Sequence, residues 1–99
     1  MIGWYRTAKI APGKIPSSIA FAKEIAAFVK SKTGVEVRVA MPMAGNPSRI
    51  GWSAQYESLA ALEKAQASFV TDSKYMEMVV KSSDNFIAGS LHDEIWRIL

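Results

Sequence analysis

Cysteine is absent from this sequence of 99 residues, and histidine occurs once, as His92. The absence of cysteine excludes disulfide bonds, thiolate catalysis and cysteine metal ligands, and a single histidine argues against a conventional zinc site. A chain without disulfides fits a reducing compartment, so we expect a cytoplasmic protein. We expect no bound cofactor.

Long apolar runs are also absent. No stretch approaches the roughly 20 apolar residues that a membrane-spanning helix requires, and residues 1–6 lack the charged start and apolar stretch of a signal peptide. We therefore expect neither a membrane span nor export. Hydrophobic residues make up 49% of the chain, which predicts a single domain over residues 1–99 with a modest core.

Runs of basic residues are missing too, although the net charge is +3. Residues 1–50 contain eight Lys and Arg against two acidic residues, and residues 51–99 contain four against seven, so the halves carry +6 and −3. Such a split can create a basic surface for an anion. The scattered positions favour the other interpretation, in which the two halves interleave and their charges mix on a solvated surface.

The stretch 50–69 contains the clearest pattern in the chain. Its first part alternates and predicts a strand, one face of which holds Ile50, Trp52, Ala54 and Tyr56. Its second part has the spacing of an amphipathic helix, on a stripe made of Leu59, Leu62, Ala65, Gln66 and Phe69. Ser58 stands at the change of period, where a hydroxyl can accept a hydrogen bond from the first helical turn. The sequence therefore predicts a strand that leads directly into a capped helix.

The remaining elements follow from the same reasoning. Strands are predicted over 2–11, 35–41 and 49–57, and from 87 or 88 to 98. Helices are predicted from 17 or 18 to 32, over 58–69, and from a cap within 71–73 to 82. Gly34 suits the left-handed position that closes the first helix. The segments 12–16 and 43–48 are rich in turn-forming residues and separate these elements.

The resulting order, β-α-β-β-α-β with a broken second helix, predicts an α+β ferredoxin-like sandwich. Right-handed crossovers favour a four-stranded antiparallel sheet of order 4-1-3-2 with all helices on one face. The other face then exposes about 450 Å², close to the largest patch that monomers leave bare. The helices cannot cover all of the large aromatic residues of the strands, which are Trp4, Tyr5, Trp52, Tyr56 and Trp96. We therefore expect a homodimer.

Several segments resemble those of the dimeric α/β-barrel superfamily. They are residues 51–62 (G-W-S-A-Q-Y-E-S-L-A-A-L), 72–75 (D-S-K-Y), 12–14 (P-G-K) and 93–97 (D-E-I-W-R). The chain is similar to the NIPSNAP-like and antibiotic-biosynthesis-monooxygenase-like groups of small proteins. The resemblance implies a homodimer whose two sheets enclose a barrel, often with a cleft between sheet and helices. Its members include cofactor-independent monooxygenases, isomerases and haem-degrading enzymes.

The resemblance does not favour haem degradation. The haem-degrading members need an asparagine on the first strand, and residues 2–11 contain none. They also ligate iron through a histidine expected on a helix, whereas His92 falls on the last predicted strand. The sequence therefore favours a cofactor-free activity within the superfamily.

Six residues are candidates for a functional site. His92 is the one side chain suited to base catalysis near neutral pH, and Glu94 shares its strand face and could serve as its partner. Asp93 points to the other face and cannot orient the imidazole. The predicted ligand-binding residues are Trp4, Arg6, Arg38 and Trp52. A structural role for His92 and an interface ion pair for Arg38 are the simpler interpretations of those two.

Nucleic-acid binding is a weaker hypothesis. RNA-recognition domains share this order of elements, but residues 49–56 depart from their aromatic motif at Ile50 and Ala54. The sequence instead predicts a small cytoplasmic homodimer with a small-molecule site in the barrel or in the cleft between sheet and helices. A cofactor-independent monooxygenase or isomerase would fit such a site. The alternative is a binding or regulatory dimer without catalysis.

Overall fold

The structure is a computed structural model that describes every residue from Met1 to Leu99. It contains four strands, three helices and a short 3-10 turn at Ser83–Asn85. The strands are β1 (Ile2–Lys9), β2 (Arg38–Ala40), β3 (Arg49–Tyr56) and β4 (His92–Arg97). The helices are α1 (Ile15–Thr33), α2 (Leu59–Val70) and α3 (Ser73–Lys81).

The four strands form one antiparallel sheet of order β2-β3-β1-β4, which confirms the predicted order. The two longest strands, β1 and β3, lie at its centre and pair from Ile2↔Tyr56 to Lys9↔Arg49. All three helices lie on one side of the sheet. The predicted α+β ferredoxin-like arrangement is therefore confirmed.

Strand alternation determines which residues face the helices. On β3, the buried residues are Ile50, Trp52, Ala54 and Tyr56, while Gly51, Ser53 and Gln55 lie on the other face. Ile50 and Trp52 pack with Ala22 and Ile25 of α1. Ala54 and Tyr56 pack with Leu62, Ala65 and Phe69 of α2. The alternating stretch 50–56 thus forms the sheet side of the hydrophobic core.

The helix ends use the residues that the sequence indicates. The Ser58 hydroxyl accepts a hydrogen bond from the Ala61 amide at 3.1 Å, and the Asp72 carboxylate accepts one from the Tyr75 amide at 3.0 Å. Gly34 has a φ of 77° and donates its amide to the Lys30 carbonyl at 2.8 Å. These contacts satisfy amides and a carbonyl that have no partner within the helices.

Four predicted boundaries were wrong by two residues or more, and the first is the end of β1, which lies at Lys9 rather than at 11. Helix α1 begins at Ile15 rather than at 17 or 18, because Pro16 is compatible with a first turn, whose amides need no helical acceptor. Strand β2 begins at Arg38 rather than at 35, because the Val35 amide bonds to the Thr33 hydroxyl at the end of α1. Strand β4 begins at His92 rather than at 87 or 88.

The late start of β4 follows from a turn in the residues before it. Gly89 has a φ of 77°, and the Ser90 hydroxyl donates to the Ile87 carbonyl at 2.6 Å and accepts from the Lys9 amide at 3.1 Å. These contacts keep residues 87–91 folded back toward β1. The Ile87 amide also donates to the Lys9 carbonyl at 2.9 Å, so the turn interrupts the pairing with β1 before β4 begins.

The two elements at the end of the chain are the least covered. None of the nine residues of α3 is buried, although the helix is amphipathic, and all six residues of β4 are exposed. Helix α3 packs through one side only, where Tyr75, Met78 and Val79 contact the core cluster of β1, β3 and α1, and β4 is left uncovered. No helix is long and apolar enough to cross a membrane.

Candidate functional site

A cavity of about 520 Å³ lies between the helix-covered face of the sheet and the helices. Its volume falls within the range of small-molecule sites, which is about 300–1,000 Å³. Trp4, Arg6 and Trp52 line it from the strands, while Gln66, Tyr75 and Val79 line it from α2 and α3. Helix α3 lines this space through Tyr75 and Val79 but does not fill it.

Aromatic rings form a large part of the cavity wall. Trp52 makes edge-to-face contacts with Phe21 and Phe86, with ring centroids 6.5 Å and 6.1 Å apart. Phe69 stacks on Tyr75 with centroids 5.0 Å apart and ring planes 17° apart. Such rings give a large apolar surface with few rotatable bonds. The wall is therefore suited to a flat or compact apolar molecule.

An ion pair between Arg6 and Asp93 supplies the only charges among the residues lining the cavity. The two residues are directly opposite each other on β1 and β4. Arg6 Nε donates to Asp93 Oδ1 at 2.6 Å, and Arg6 Nη2 donates to Oδ2 at 2.7 Å. The guanidinium also lies over the Trp4 ring, 5.1 Å from its centroid. This two-bond geometry holds both side chains in place.

The ion pair determines the protonation of both partners. The hydrogen bond from Arg6 lowers the pKa of Asp93, with the positive charge of Arg6 as a further cause, against the opposing effect of burial. The hydrogen bond to Asp93 raises the pKa of Arg6, again against burial. Both groups are charged at neutral pH, and their charges cancel. Because the pKa of its conjugate acid is lowered, the Asp93 carboxylate is a weak proton acceptor.

Further polar groups surround this pair. Trp4 Nε1 is buried and has no hydrogen-bond partner of acceptable geometry, yet the indole contributes to the lowered pKa of Asp93. Tyr75 contributes to the raised pKa of Arg6, so its phenol lies near the guanidinium. Burial raises the pKa of Tyr56. The cavity thus contains two phenols, an indole and one neutralised ion pair.

The opposite face of the sheet contains a second group of polar and aromatic side chains. Glu94 bridges its strand neighbours, because its carboxylate lies 3.2 Å from His92 Nε2 and accepts a 2.9 Å hydrogen bond from Trp96 Nε1. Arg38 is on this face as well, opposite Ser53 at the far end of the sheet. All four side chains are exposed in the single chain.

The structure divides the six predicted site residues between the two faces. It brings together Trp4, Arg6 and Trp52 in the cavity. It places His92, Glu94 and Arg38 on the open face, so His92 does not join the aromatic residues as the sequence analysis proposed. On β1, Arg6 faces the helices and its neighbour Tyr5, which pairs with Glu94, faces the other way.

Sequence reasoning missed Asp93, Tyr75, Tyr56 and Gln66 as site residues. For Asp93 a signal was present in the sequence. Strand alternation places it on the opposite face of β4 from His92 and Glu94. Pairing that face with Arg6 requires the β1-β4 register, which a single sequence does not contain. No group of three or more His, Asp or Glu side chains comes together to hold a metal ion.

No protein-family model and no curated protein matches the chain. Solved structures do match it over nearly its whole length. A NIPSNAP domain protein from Burkholderia xenovorans aligns with a TM-score of 0.84 and 11% identity, covering 100% of this chain and 95% of that one. A NIPSNAP family protein of unknown function from Agrobacterium tumefaciens aligns with a TM-score of 0.81 and 18% identity, covering 97% and 86%.

A third similar structure is a candidate antibiotic biosynthesis monooxygenase from Nitrosomonas europaea. It aligns with a TM-score of 0.76 and 13% identity, and covers 100% of this chain and 99% of that one. The chain therefore has the fold shared by NIPSNAP and antibiotic-biosynthesis-monooxygenase-like proteins. This confirms, at the level of fold, the resemblance that its sequence indicates.

Proposed function

We propose that this protein is a cytoplasmic homodimer that binds a small, largely apolar molecule in the cavity of each subunit. The observation that carries the proposal is the cavity itself. It has a volume of about 520 Å³, aromatic residues along its wall and a single neutralised ion pair. Water that fills a space of this size lies against aromatic surface. A ligand that displaces this water gains the free energy of burying that surface.

The ion pair indicates which polar group the ligand carries. Arg6 uses Nε and Nη2 for Asp93, which leaves Nη1 with no acceptor among the hydrogen bonds of the protein. The Arg6 side chain is 27% exposed, so this nitrogen is not sealed off by burial. An oxygen acceptor such as a phenol or carbonyl would fit beside it. Because Asp93 already neutralises the guanidinium, a neutral ligand is favoured over a strong anion.

Calorimetry with 2-naphthol, a flat apolar molecule with one oxygen, tests the proposal. We expect saturable binding at one site per chain. The variant Val79→Phe places a ring in the cavity from α3 and should weaken binding tenfold or more, about 1.4 kcal/mol. The matched control is Val80→Phe, because Val80 is the next residue of the same helix but does not line the cavity. Equal effects of the two variants, or no binding by the native protein, would contradict the proposal.

The homodimer is supported by the open face of the sheet. Trp96 is 58% exposed and Tyr5 44% exposed there, and Ile95 on the other face of β4 is 53% exposed. A second copy that covers the open face would bury the first two side chains and enclose His92, Glu94 and Arg38. Light scattering over a dilution series should give twice 10.9 kDa. A mass of 10.9 kDa at every concentration would remove this part of the proposal.

Catalysis is the second candidate function, because a candidate monooxygenase has the same fold. A cofactor-independent monooxygenase or an isomerase that begins by removing a proton from its substrate needs a base beside that substrate. Asp93 is poorly suited to that step because its pKa is lowered, and the His92–Glu94 pair lies on the opposite face. A non-catalytic binding or regulatory role therefore fits the cavity better. Oxygen uptake that requires both 2-naphthol and the native protein would reverse this order.

A further inference from the structure

Two apolar side chains of the segment before β4 line the cavity and are also exposed to solvent. Ile87 is 47% exposed and Leu91 57% exposed in the single chain, and both belong to the cavity wall. A side chain that meets both the cavity and the solvent lies at an opening of the cavity. We call these two residues the apolar rim.

The apolar rim continues the aromatic wall of the cavity toward the surface. Phe86 lines the cavity directly before Ile87 in the chain, and its ring contacts the ring of Trp52 with centroids 6.1 Å apart. Exposure rises along this path, from 7% at Trp52 to 47% at Ile87. The wall therefore runs from the interior of the cavity to its opening.

The segment 87–91 does not depend on the two rim side chains for its shape. The Ser90 amide donates to the Ile87 carbonyl at 3.1 Å, and the Ser90 hydroxyl accepts from the Lys9 amide at 3.1 Å. Gly89 takes the left-handed conformation that the turn requires, with a φ of 77°. Turns are otherwise built mainly from small and polar residues. The turn itself therefore does not explain two large apolar side chains at its ends.

The segment offers hydrocarbon surface and no free polar side chain. The Ser90 hydroxyl already donates to the Ile87 carbonyl and accepts from the Lys9 amide. Leu91 precedes Asp93 by two residues, so their Cα atoms are at most about 7 Å apart. The rim is therefore close to the ion pair, whose charges cancel, and it favours an apolar group on a ligand held beside that pair.

A second copy of the chain is not the partner that the structure favours for the rim. The homodimer proposed above covers the open face of the sheet, whereas both rim residues line the cavity on the helix-covered face. A protein surface placed on the rim would also close this opening. A ligand in the cavity reaches the rim without any further partner.

We propose that Ile87 and Leu91 form a subsite for an alkyl chain carried by the ligand. The inference rests on the proposed function and deepens it. The ligand class becomes an amphiphile that has a flat body in the cavity, an oxygen acceptor beside Arg6 and a hydrocarbon chain lying over the rim. The chain and the rim bury apolar surface against each other, which favours binding.

Calorimetry with 2-naphthol and 6-pentyl-2-naphthol tests this inference. The pentyl chain is attached at the end of the ring system far from the hydroxyl, so it can leave the cavity while the hydroxyl stays beside Arg6. Complete burial of one methylene strengthens binding about fourfold, and a half-exposed subsite should give about twofold. For five carbons, we expect the native protein to bind 6-pentyl-2-naphthol about thirtyfold more tightly than 2-naphthol.

The variants Ile87→Ser and Leu91→Ser should each reduce this ratio of affinities by about threefold or more, because each removes hydrocarbon from the subsite. The matched control is Ile95→Ser. Ile95 is 53% exposed and lies on the same face of β4 as Asp93, but it does not line the cavity. This control should keep both affinities. Thermal unfolding and light scattering should show that all variants are folded and have the mass of the native protein.

The failure of this inference differs from the failure of the proposed function. If 2-naphthol binds but the pentyl chain does not strengthen binding, or if the rim variants keep the native ratio, the subsite is overturned and the cavity remains a binding site. An equal loss in Ile95→Ser, or a lower mass of Leu91→Ser in light scattering, also overturns the subsite. If neither compound binds, the proposed function is overturned and the subsite with it.

Discussion

The two faces of the sheet are built from the same four strands but have different chemistry. The helix-covered face contains a packed floor, a cavity and an ion pair whose charges cancel. The open face contains Tyr5, Trp96, Glu94 and His92, all exposed, with Arg38 at its far end. Neighbouring residues of one strand can therefore have unrelated surroundings. Asp93 and Glu94 are adjacent in the sequence, yet one binds Arg6 in the cavity and the other binds His92 on the open face.

This comparison explains why a list of chemically suitable residues did not identify one site. Strand geometry sends alternate side chains to opposite faces, so residues with suitable chemistry are divided before any site can form. The cavity face favours binding of an apolar molecule, and the open face favours contact with another protein surface. The following substitutions compare matched positions on the two faces.

The largest effect is expected for Trp52→Ala on the cavity face. Trp52 is 7% exposed, contacts two aromatic rings and donates its indole N–H to the Ala22 carbonyl at 3.4 Å. Its removal should lower the free energy of unfolding by about 3–5 kcal/mol in urea denaturation. Trp96→Ala on the open face should change it by about 0.5 kcal/mol or less at a dilution where light scattering shows all three proteins as monomers. The other substitutions on the open face are compared at the same dilution. Unchanged stability with weaker 2-naphthol binding would instead assign Trp52 to the ligand site alone.

The next effect separates the adjacent residues Asp93 and Glu94. Asp93→Asn should lower the free energy of unfolding by about 1–2 kcal/mol, because it breaks two charge-assisted hydrogen bonds at a partly buried position. Glu94→Gln keeps the shape of a more exposed side chain and should cost about 0.5 kcal/mol or less. If the two substitutions lowered the free energy of unfolding equally, partial burial would not strengthen the Arg6–Asp93 pair.

The difference in stability between the native protein and the variant Asp93→Asn should also depend on pH. The folded-state pKa of Asp93 is lower than in the unfolded chain, where it is about 3.9. The stabilisation is therefore fully present above that value and is lost as the pH falls through the folded-state pKa. Melting temperatures of the two proteins should differ by a constant amount from pH 7 to about 5 and converge below about 4. A constant difference down to pH 2 would contradict this assignment.

A smaller effect compares α2 and α3, two of the three helices that line the cavity. Ser58→Ala and Asp72→Ala each remove an N-cap and should each cost about 1 kcal/mol. Asp72 also accepts a 2.6 Å hydrogen bond from Lys32, which ties α3 to α1. Only Asp72→Ala should therefore weaken 2-naphthol binding in calorimetry, because it loosens the helix that covers the cavity. Equal binding by both variants would mean that α3 is held by its packing alone.

The smallest effect is expected for His92→Ala. Its side chain is 67% exposed in the single chain and its one hydrogen-bond partner is Glu94, so the stability of the monomer should change by about 0.5 kcal/mol or less. Binding of 2-naphthol should be unchanged, because His92 does not line the cavity. Loss of a protein-dependent oxygen uptake in this variant would instead support the catalytic role that the sequence suggested for His92.

Local pattern was sufficient for most of the fold. The alternation of 50–56, the helical spacing after Ser58 and the caps at Ser58, Asp72 and Gly34 involve residues a few positions apart, so a single sequence contains them. Strand order followed because right-handed crossovers leave few arrangements for β-α-β-β-α-β. Boundaries at Ile15, Arg38 and His92 could not be predicted, because each depends on a specific hydrogen bond or a tolerated proline.

The candidate site required information of another kind. The sequence by itself determined that Trp4, Arg6 and Trp52 lie on long strands. It also determined that Asp93 lies on one face of β4 and that His92 and Glu94 lie on the other. Only the tertiary structure decided that Arg6 meets Asp93, that Tyr75 and Gln66 face the same space, and that α3 leaves the space unfilled. The physical reason is that periodicity is a property of neighbouring residues, whereas register and cavity volume depend on how elements distant in the chain pack together.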